Sequence, residues 1–540
     1  MNFSPVCPAL FSIGDTEPVD TTRSHPPVEG VQTAPALLPD HSRHFRTDHL
    51  LLKLGEHSVS AALVTAAAQA AKFVLNLGSA VVLARLLSPS EFGLVAMVLA
   101  VTSLLGLFKE AGLSTATVQR ESITQQQVSN LFWINVGLGS LLSLVSVGLA
   151  APVAWFYRDE RLIGIMLALS ITFVLTGSTV QHTALLTRQM RFQAIAAIEL
   201  TSVLLGFVLG CVMALAGYGY WALVAMQLST PITMLAMTWW MSGWKPSGPS
   251  RNSGVAPMLK FGAHLTASNF MARIARNSDA VLIGRFFGAE SLGLYSRASA
   301  LLTRPIEQLS APLDTVLIPA LSRLQSDPER YRRTFLRASD TLALITFPLT
   351  GLFLALSEPL VLVLLGPKWR AAIPLFAAFT LTAISLPLGY AASWLFTSQG
   401  RGGDLLRAYS LLSVATVLAF ASGLPWGPLG VVLGYAIYSL VVRLPTLYHL
   451  AGRTGPVSSL DLWKGFLYHM PCWACTYAGA ALTRELMRGS TPITQLLVCT
   501  PAGLAAGAAA ALAMRRPRQS TLFAVRKVWG TVREKTSKAG

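Results

Sequence analysis

Five basic residues inside otherwise apolar stretches are the side chains of this sequence best suited to chemistry. Lys72, Arg273, Arg276, Arg297 and Arg304 stand in runs long enough to cross a bilayer. A charge in such a run costs roughly 2.5–3.5 kcal/mol on insertion scales, so each needs a partner or a function. Guanidinium groups are well suited to phosphate oxygens. The five cations therefore predict a cavity that binds an anionic ligand.

Three acidic residues, Asp279, Glu307 and Asp314, lie in the same stretches. At about 100° per residue, each falls in the same helical sector as the neighbouring arginines. Arg276 with Asp279 and Arg304 with Glu307 are spaced to neutralise each other, which is a purely structural alternative. That alternative leaves cations in excess. We predict that the five cations bind the ligand and that the three carboxylates are candidates for coupling to proton or sodium movement.

The bulk composition indicates that a membrane surrounds these charges. Hydrophobic residues make up 53% of the 540 positions and charged residues only 12%, and the mean hydropathy is +0.53. Soluble domains carry about 25% charge. The net charge of +17 is spread over many short loops and the C-terminal tail. This spread argues against nucleic acid as a partner and is compatible with anionic lipid headgroups.

Fourteen apolar stretches follow Ser58, each near 20 residues, and they predict an all-α polytopic membrane protein with about 14 transmembrane helices. The even-numbered loops hold about 17 Lys and Arg residues and the odd-numbered loops about 8. We therefore expect both termini in the cytoplasm. The predicted spans are 58–84, 92–112, 129–152, 161–181, 193–216, 219–241, 257–284, 291–316, 334–357, 371–397, 404–422, 427–449, 463–486 and 493–514.

A short run at the turn after the first span recurs 200 residues later, as Leu83–Leu94 and Ile283–Leu294. Each copy joins two hydrophobic segments by a turn that carries one Arg, one Glu and a Gly. Shared polar residues at one constant offset indicate an internal duplication, a plan common among membrane transporters. The matched positions are Ala80, Val81, Arg85, Gly93 and Leu94 with Ala280, Val281, Arg285, Gly293 and Leu294.

The duplication makes the first and seventh predicted spans equivalent, so it divides the chain into two lobes of six spans each, followed by two additional helices. The polar N-terminal segment has no apolar core after a basic start, so it is predicted to be a disordered cytoplasmic tail rather than a signal peptide. The predicted regions are the tail 1–56, the first lobe 57–241, a cytoplasmic linker 242–256, the second lobe 257–449, two further helices within 450–514 and a basic cytoplasmic tail 515–540.

Enzymatic chemistry finds little support in the sequence. Gly-x-Ser-x-Gly, His-Glu-x-x-His and phosphate-binding Gly-x-x-x-x-Gly-Lys motifs are all missing. No predicted loop is long enough to form a catalytic domain. We therefore predict a transporter that is not an enzyme and that uses no cofactor or metal.

Several turns and loops resemble those of polysaccharide transporters of the flippase (Wzx) type, within the superfamily of multidrug, oligosaccharidyl-lipid and polysaccharide exporters. The resemblance covers roughly residues 58–450. The segments that carry it are Leu83–Leu94, Gly112–Ala116, Arg285–Leu294, Pro319–Gln325 with Arg330 and Arg333 after it, and Gly366–Trp369.

The resemblance implies two pseudo-symmetric six-helix lobes around a central cavity, which is lined largely by spans one, two, seven and eight. It also implies that the transporter alternates between inward-open and outward-open states. It implies that an undecaprenyl-pyrophosphate-linked oligosaccharide crosses the bacterial inner membrane for exopolysaccharide, capsule or O-antigen assembly. Expected partners are this lipid-linked sugar, membrane lipids, and a polysaccharide polymerase with its export machinery.

Two alternatives remain open on the sequence. One is another substrate within the superfamily, either a peptidoglycan precursor or a drug, although a cationic cavity disfavours cationic drugs. The other is a membrane glycosyltransferase or polymerase, against which the short loops argue.

Overall fold

The computed structural model describes residues 54–106, 114, 117, 118, 120, 123–250 and 256–514. It does not describe the side chains of 54–63, 66, 256–276, 309, 311 and 312. The predicted tails therefore lie outside the described residues, except for 54–56, which already belong to the first helix.

The described residues of the first half form eight helices, and the third and fourth predicted spans are each built from two of them. Both of these composite segments continue five or more residues beyond the predicted span. The helices are α1 (Leu54–Leu86), α2 (Pro89–Leu105), α3 (Gln125–Gly148), α4 (Ala150–Tyr157), α5 (Arg161–Gly177), α6 (Val180–Arg188), α7 (Phe192–Leu215) and α8 (Trp221–Ser242).

The second half opens with one very long helix and then repeats the pattern of broken segments. Short 3₁₀ turns at Pro367–Ala372 and Leu424–Trp426 and a π-helical turn at Ser439–Arg443 join its pieces. The helices are α9 (Ala256–Arg323), α10 (Pro328–Ala355), α11 (Ser357–Leu364), α12 (Ile373–Ala383), α13 (Leu386–Ser398), α14 (Gly402–Gly423), α15 (Gly427–Tyr438), α16 (Leu444–Gly452), α17 (Ser459–Leu486) and α18 (Pro492–Ala513).

The described residues contain helices and no strands, which confirms the all-α prediction. Nine helical stretches among them are long and apolar enough to cross a membrane. The two predicted spans within α9 are not among the nine. Most of the first lies in the part of α9 whose side chains are not described, and Arg297, Arg304 and Glu307 interrupt the apolar run of the second. The count of fourteen stays a prediction.

The two copies of the repeated turn differ in local structure. In the first copy, the Ser88 backbone N–H donates to the Glu91 carboxylate over 2.6 Å, a capping box that starts α2. In the second, the chain stays helical on both sides of Gly288, which has φ +79° and ψ −176°. Gly tolerates this positive φ, so α9 consists of two helical parts joined by a sharp kink instead of two helices joined by a loop.

One hydrophobic core joins both halves at the end of the bundle that carries the repeated turns. It includes Leu94 and Leu162 from the first half and Ile283, Trp369 and Val431 from the second. The topology prediction makes this the periplasmic end. Toward the opposite end, the described residues form separate clusters within each half. The lobes are therefore packed together at one end of the bundle.

Part of the predicted linker is bound to the first lobe. The backbone N–H of Ser247 donates to Ser129 Oγ over 2.9 Å, and that of Ser250 donates to Asn130 Oδ1 over 2.8 Å. Trp244 is buried, and its indole N–H donates to Gln125 Oε1 over 2.6 Å. Residues 244–250 thus form a strap on the start of α3, and they belong structurally to the first lobe.

Candidate functional site

The two lobes meet through reciprocal contacts of the repeated turns, which we call the seam: residues 83–94 against 283–294. A Cβ atom on Gly93 would lie 1.6 Å from the carbonyl oxygen of Ala289. A Cβ atom on Gly293 would lie 1.8 Å from the carbonyl oxygen of Pro89. The backbones of α2 and α9 can approach this closely only because both positions are glycine. Equivalent residues of the two halves therefore face each other across a pseudo-twofold axis.

The repeated arginines also connect the lobes in a reciprocal way. Arg85 donates to the carbonyl oxygen of Val363 in the second half. Arg285 places its guanidinium 5.6 Å from the centre of the Phe156 ring in the first half. Phe156 and Val363 lie at the ends of the third and ninth segments, which correspond in the duplication. Each repeated arginine therefore contacts the opposite lobe.

Aromatic side chains fill the remaining space beside the seam. The Trp369 indole N–H donates to the carbonyl oxygen of Ala84 over 2.8 Å, and Trp369 is fully buried. Tyr157 occupies the corresponding position against Gly284, where a Cβ atom would lie 2.8 Å from its ring. These contacts close this end of the bundle.

Arg297 lies against the seam with its charge incompletely compensated. Its guanidinium carbon is 4.4 Å from the centre of the Phe92 ring, a cation–π geometry. Phe92 packs edge-on against Trp369, with ring centres 5.5 Å apart. The buried Nε of Arg297 has no hydrogen-bond partner among the described residues. The duplication places Met97, a buried apolar residue, at the equivalent position, so this cation belongs to one half only.

Arg304 and Glu307 are exposed near the middle of the second part of α9. They form no ion pair with each other within the described residues, so the neutralising pair considered from the sequence is not formed. About 10 Å separates Arg304 from Arg297 along the helix axis. In membrane proteins, exposed charges near the middle of a span face water-filled space. The exposure of Arg304 and Glu307 therefore fits side chains that line a cavity.

Two of the predicted coupling carboxylates hold hydrogen-bonded partners. Asp279 accepts from the Tyr295 hydroxyl over 2.7 Å, which ties together the two parts of α9. Asp314 accepts from the indole N–H of the fully buried Trp394 over 2.5 Å. Glu307 therefore differs from both, because it is exposed and no described group is bonded to it.

Lys72 has a partner that the sequence analysis missed. Its ammonium group is 3.0 Å from the Glu199 carboxylate of α7, and both side chains are about one-third exposed or less. Glu199 stands alone among apolar residues of the fifth span. Counting acids in every span, and not only in the first, seventh and eighth, would have found it. Lys72 therefore contributes less net charge to a cavity than the sequence suggested.

The remaining predicted cations, Arg273 and Arg276, have side chains outside the described residues. The backbone there is helical within α9. Asn277, the next residue, donates to Ser103 Oγ of α2 over 2.7 Å. The first part of α9 thus runs against α2 from the other lobe.

The fold and this site define a helical, multi-pass membrane transporter with two lobes that meet at one end. The chain belongs to the family described as "Polysaccharide biosynthesis protein", whose model matches residues 82–374. This assignment agrees with the resemblance to polysaccharide transporters that the turn and loop segments of the sequence indicated.

Relatives by sequence agree with this family, and a solved transporter structure shares the fold. The chain is 25% identical over 447 residues to the lipopolysaccharide biosynthesis protein WzxC of Escherichia coli K12, covering 81% of this chain and 90% of that protein. It is 28% identical to the succinoglycan biosynthesis transport protein ExoT of Rhizobium meliloti 1021, covering 65% and 71%. The lipid II flippase MurJ in an inward closed conformation has the same fold, with a TM-score of 0.68, 15% identity and coverage of 83% and 98%.

Proposed function

We propose that this protein is a flippase that moves undecaprenyl-pyrophosphate-linked oligosaccharide repeat units across the bacterial inner membrane. The units would then enter exopolysaccharide, capsule or O-antigen assembly through a polymerase and export machinery. Membership of the polysaccharide biosynthesis family supports this class of substrate, and so do relatives named for lipopolysaccharide biosynthesis and succinoglycan transport.

The observation that carries the proposal is the unequal pairing of charge along α9. Among the described residues, the guanidinium of Arg297 contacts the Phe92 ring but no carboxylate, and Arg304 has no ionic partner. Both guanidinium groups are therefore available to bind an anion. A diphosphate offers oxygens that a guanidinium binds in a bidentate manner. Arg273 and Arg276 belong to the same proposed set, whereas Glu199 offsets the charge of Lys72.

In the proposed cycle, the sugar and diphosphate enter from the cytoplasmic side while the lipid tail stays in the bilayer. The seam closes the opposite end, and separation of the two lobes there would release the substrate to the periplasm. Glu307 is the preferred coupling group because it is exposed without a bonded partner. Asp279 and Asp314 remain in the proposed coupling set, but their hydrogen bonds also give each a positioning role.

The leaflet that holds the lipid-linked sugar in a deletion strain tests the proposal. Right-side-out and inside-out vesicles from that strain would be treated with a membrane-impermeant glycosidase. We expect complete repeat units to stall in the cytoplasmic leaflet, and expression of this chain should relieve the block. Unpolymerised units in the outer leaflet would instead point to a polymerase. Accumulated peptidoglycan precursor with cell lysis would contradict the substrate class.

A further inference from the structure

A cavity lined by charged residues lies away from the seam, between α11 and the last two helices. Its volume is about 610 Å³, within the usual range for small-molecule sites. Arg370, Arg484 and Arg488 line it together with Glu358 and Glu485. The proposed transport cycle uses none of these residues.

The cavity lies at a bilayer boundary, because its lining changes from apolar to charged along α17. Tyr477 and Ala481 line its apolar part, Arg484 follows one turn later, and Arg488 lies in the turn just after α17 ends at Leu486. On the same helix, Leu482 and Leu486 are 67% and 88% exposed, as expected of residues that face acyl chains. The apolar part of the cavity suits the acyl chain of a lipid, and the charged rim suits its headgroup.

The cavity opens at the same end of the bundle as the seam. Arg370 directly follows Trp369, whose indole bonds to Ala84 at the repeated turn. The topology prediction makes this the periplasmic side. Any lipid bound here would therefore belong to the outer leaflet of the membrane.

The charged rim combines one cation held by two hydrogen bonds with two cations whose side chains are largely exposed. Arg484 donates to the carbonyl oxygen of Ala355 over 3.1 Å and to the Glu358 carboxylate. Arg370 reaches Glu358 only at 3.8 Å, and its side chain is 75% exposed. Arg488 pairs with Glu485 and is 79% exposed. Three guanidinium groups thus face two carboxylates that are already engaged.

We propose that this cavity binds the phosphate headgroup of a lipid in the outer leaflet, with Arg370 and Arg488 closing on the phosphate over the fixed Arg484. The shared chemistry is a phosphate on an acyl or polyprenyl chain. Its source is either a bilayer phospholipid or a polyprenyl phosphate carrier. A phosphate would give Arg370 a closer anionic partner than Glu358, which is 3.8 Å away, and would give Arg488 a second anionic partner beside Glu485.

Native mass spectrometry of the detergent-purified full chain tests this site. Phosphatidylglycerol and undecaprenyl phosphate would be titrated separately, with phosphatidylcholine as the zwitterionic comparison. The double variant R370Q/R488Q removes the two largely exposed cations and leaves the Arg484 contacts intact. At about 1 kcal/mol per basic residue near a lipid surface, we expect one anionic lipid to bind about 30-fold more weakly.

Arg333→Gln is the matched control, because Arg333 is 63% exposed and pairs with Glu329 at the opposite end of α10. It should bind both anionic lipids as the unaltered protein does. A loss confined to phosphatidylglycerol identifies a bilayer phospholipid, and a loss confined to undecaprenyl phosphate identifies the carrier. Unchanged affinity for both lipids in R370Q/R488Q, or an equal loss in R333Q, would overturn the site.

Discussion

Gly93 and Gly293 hold the same position in the two halves of the chain, and each lies where a side chain would enter the opposite helix. The relationship is reciprocal. The Ala289 carbonyl leaves no room for a side chain at Gly93, and the Pro89 carbonyl leaves none at Gly293. The duplication therefore does more than repeat a lobe. It provides the two surfaces that close one end of the transporter.

Replacement of Gly93 by Ala should separate the helices at the seam. The added methyl group would overlap a backbone carbonyl that cannot turn away, and overpacking of this kind costs about 1–3 kcal/mol. We expect a lower melting temperature in detergent and loss of polymer export, with Gly293→Ala behaving alike. Gly137→Ala is the control, because its Cβ would meet nothing within 4 Å. Equal export by G93A and G137A would show that the seam tolerates separation.

Arg297 should require its positive charge as well as its size. Arg297→Gln removes the cation over Phe92, an interaction worth about 2 kcal/mol when desolvated, and removes the proposed phosphate ligand. We expect export to fall at least tenfold, with partial recovery in Arg297→Lys. Polymer yield normalised to the amount of protein in the membrane is the measurement. Normal export by R297Q at normal abundance would remove Arg297 from the proposed site.

The ion pair between Lys72 and Glu199 can be tested by exchanging its charges. K72E and E199K should each lower membrane abundance, because each leaves two like charges about 3 Å apart in the bundle. The double exchange K72E/E199K should restore abundance, and export should return with it if the pair is structural. Recovery of abundance without export would instead show that Lys72 itself contacts the substrate.

The ion pair at the start of α17 predicts a pH dependence of stability. Asp461 lies just before the predicted span 463–486, and its hydrogen bond to Arg332 over 2.9 Å, opposed in part by burial, lowers its pKa to about 2. A carboxyl with a lowered pKa stabilises the fold above its unfolded pKa of about 4, and this contribution disappears as the pH falls toward 2. This shift corresponds to at most about 2.5 kcal/mol at neutral pH, and solvent screening of the half-exposed Arg332 lowers the contribution below that value.

Melting temperatures between pH 6 and pH 2 check this prediction. The unaltered protein should lose stability over the lower part of this range by more than Asp461→Asn, which already lacks the charge. Asp404→Asn provides a comparison, because Asp404 forms an exposed pair with Arg401 and surface pairs contribute little. Parallel curves for the unaltered protein and D461N would contradict the lowered pKa.

The sequence predicted the repeat and its polar residues because a constant offset can be read directly from the chain. It did not predict that Gly93 meets Ala289, since a shared pattern does not say which copies touch. Helical phase placed Asp314 in one sector with Arg304, but Asp314 is bonded to Trp394 of another segment. Phase around one helix cannot identify a partner on a second helix. The same limit hid Glu199, which lies 127 residues from Lys72.

The strap of residues 244–250 restricts how far the lobes can drift. Only six peptide steps separate Ser250, bonded to Asn130, from Ala256 at the start of α9, so this connection spans about 20 Å at most. In the proposed cycle, a tether this short would keep the two seam surfaces at a high effective concentration after they separate. Closure then needs no diffusional search, and the lobes can re-dock in the same register after every cycle.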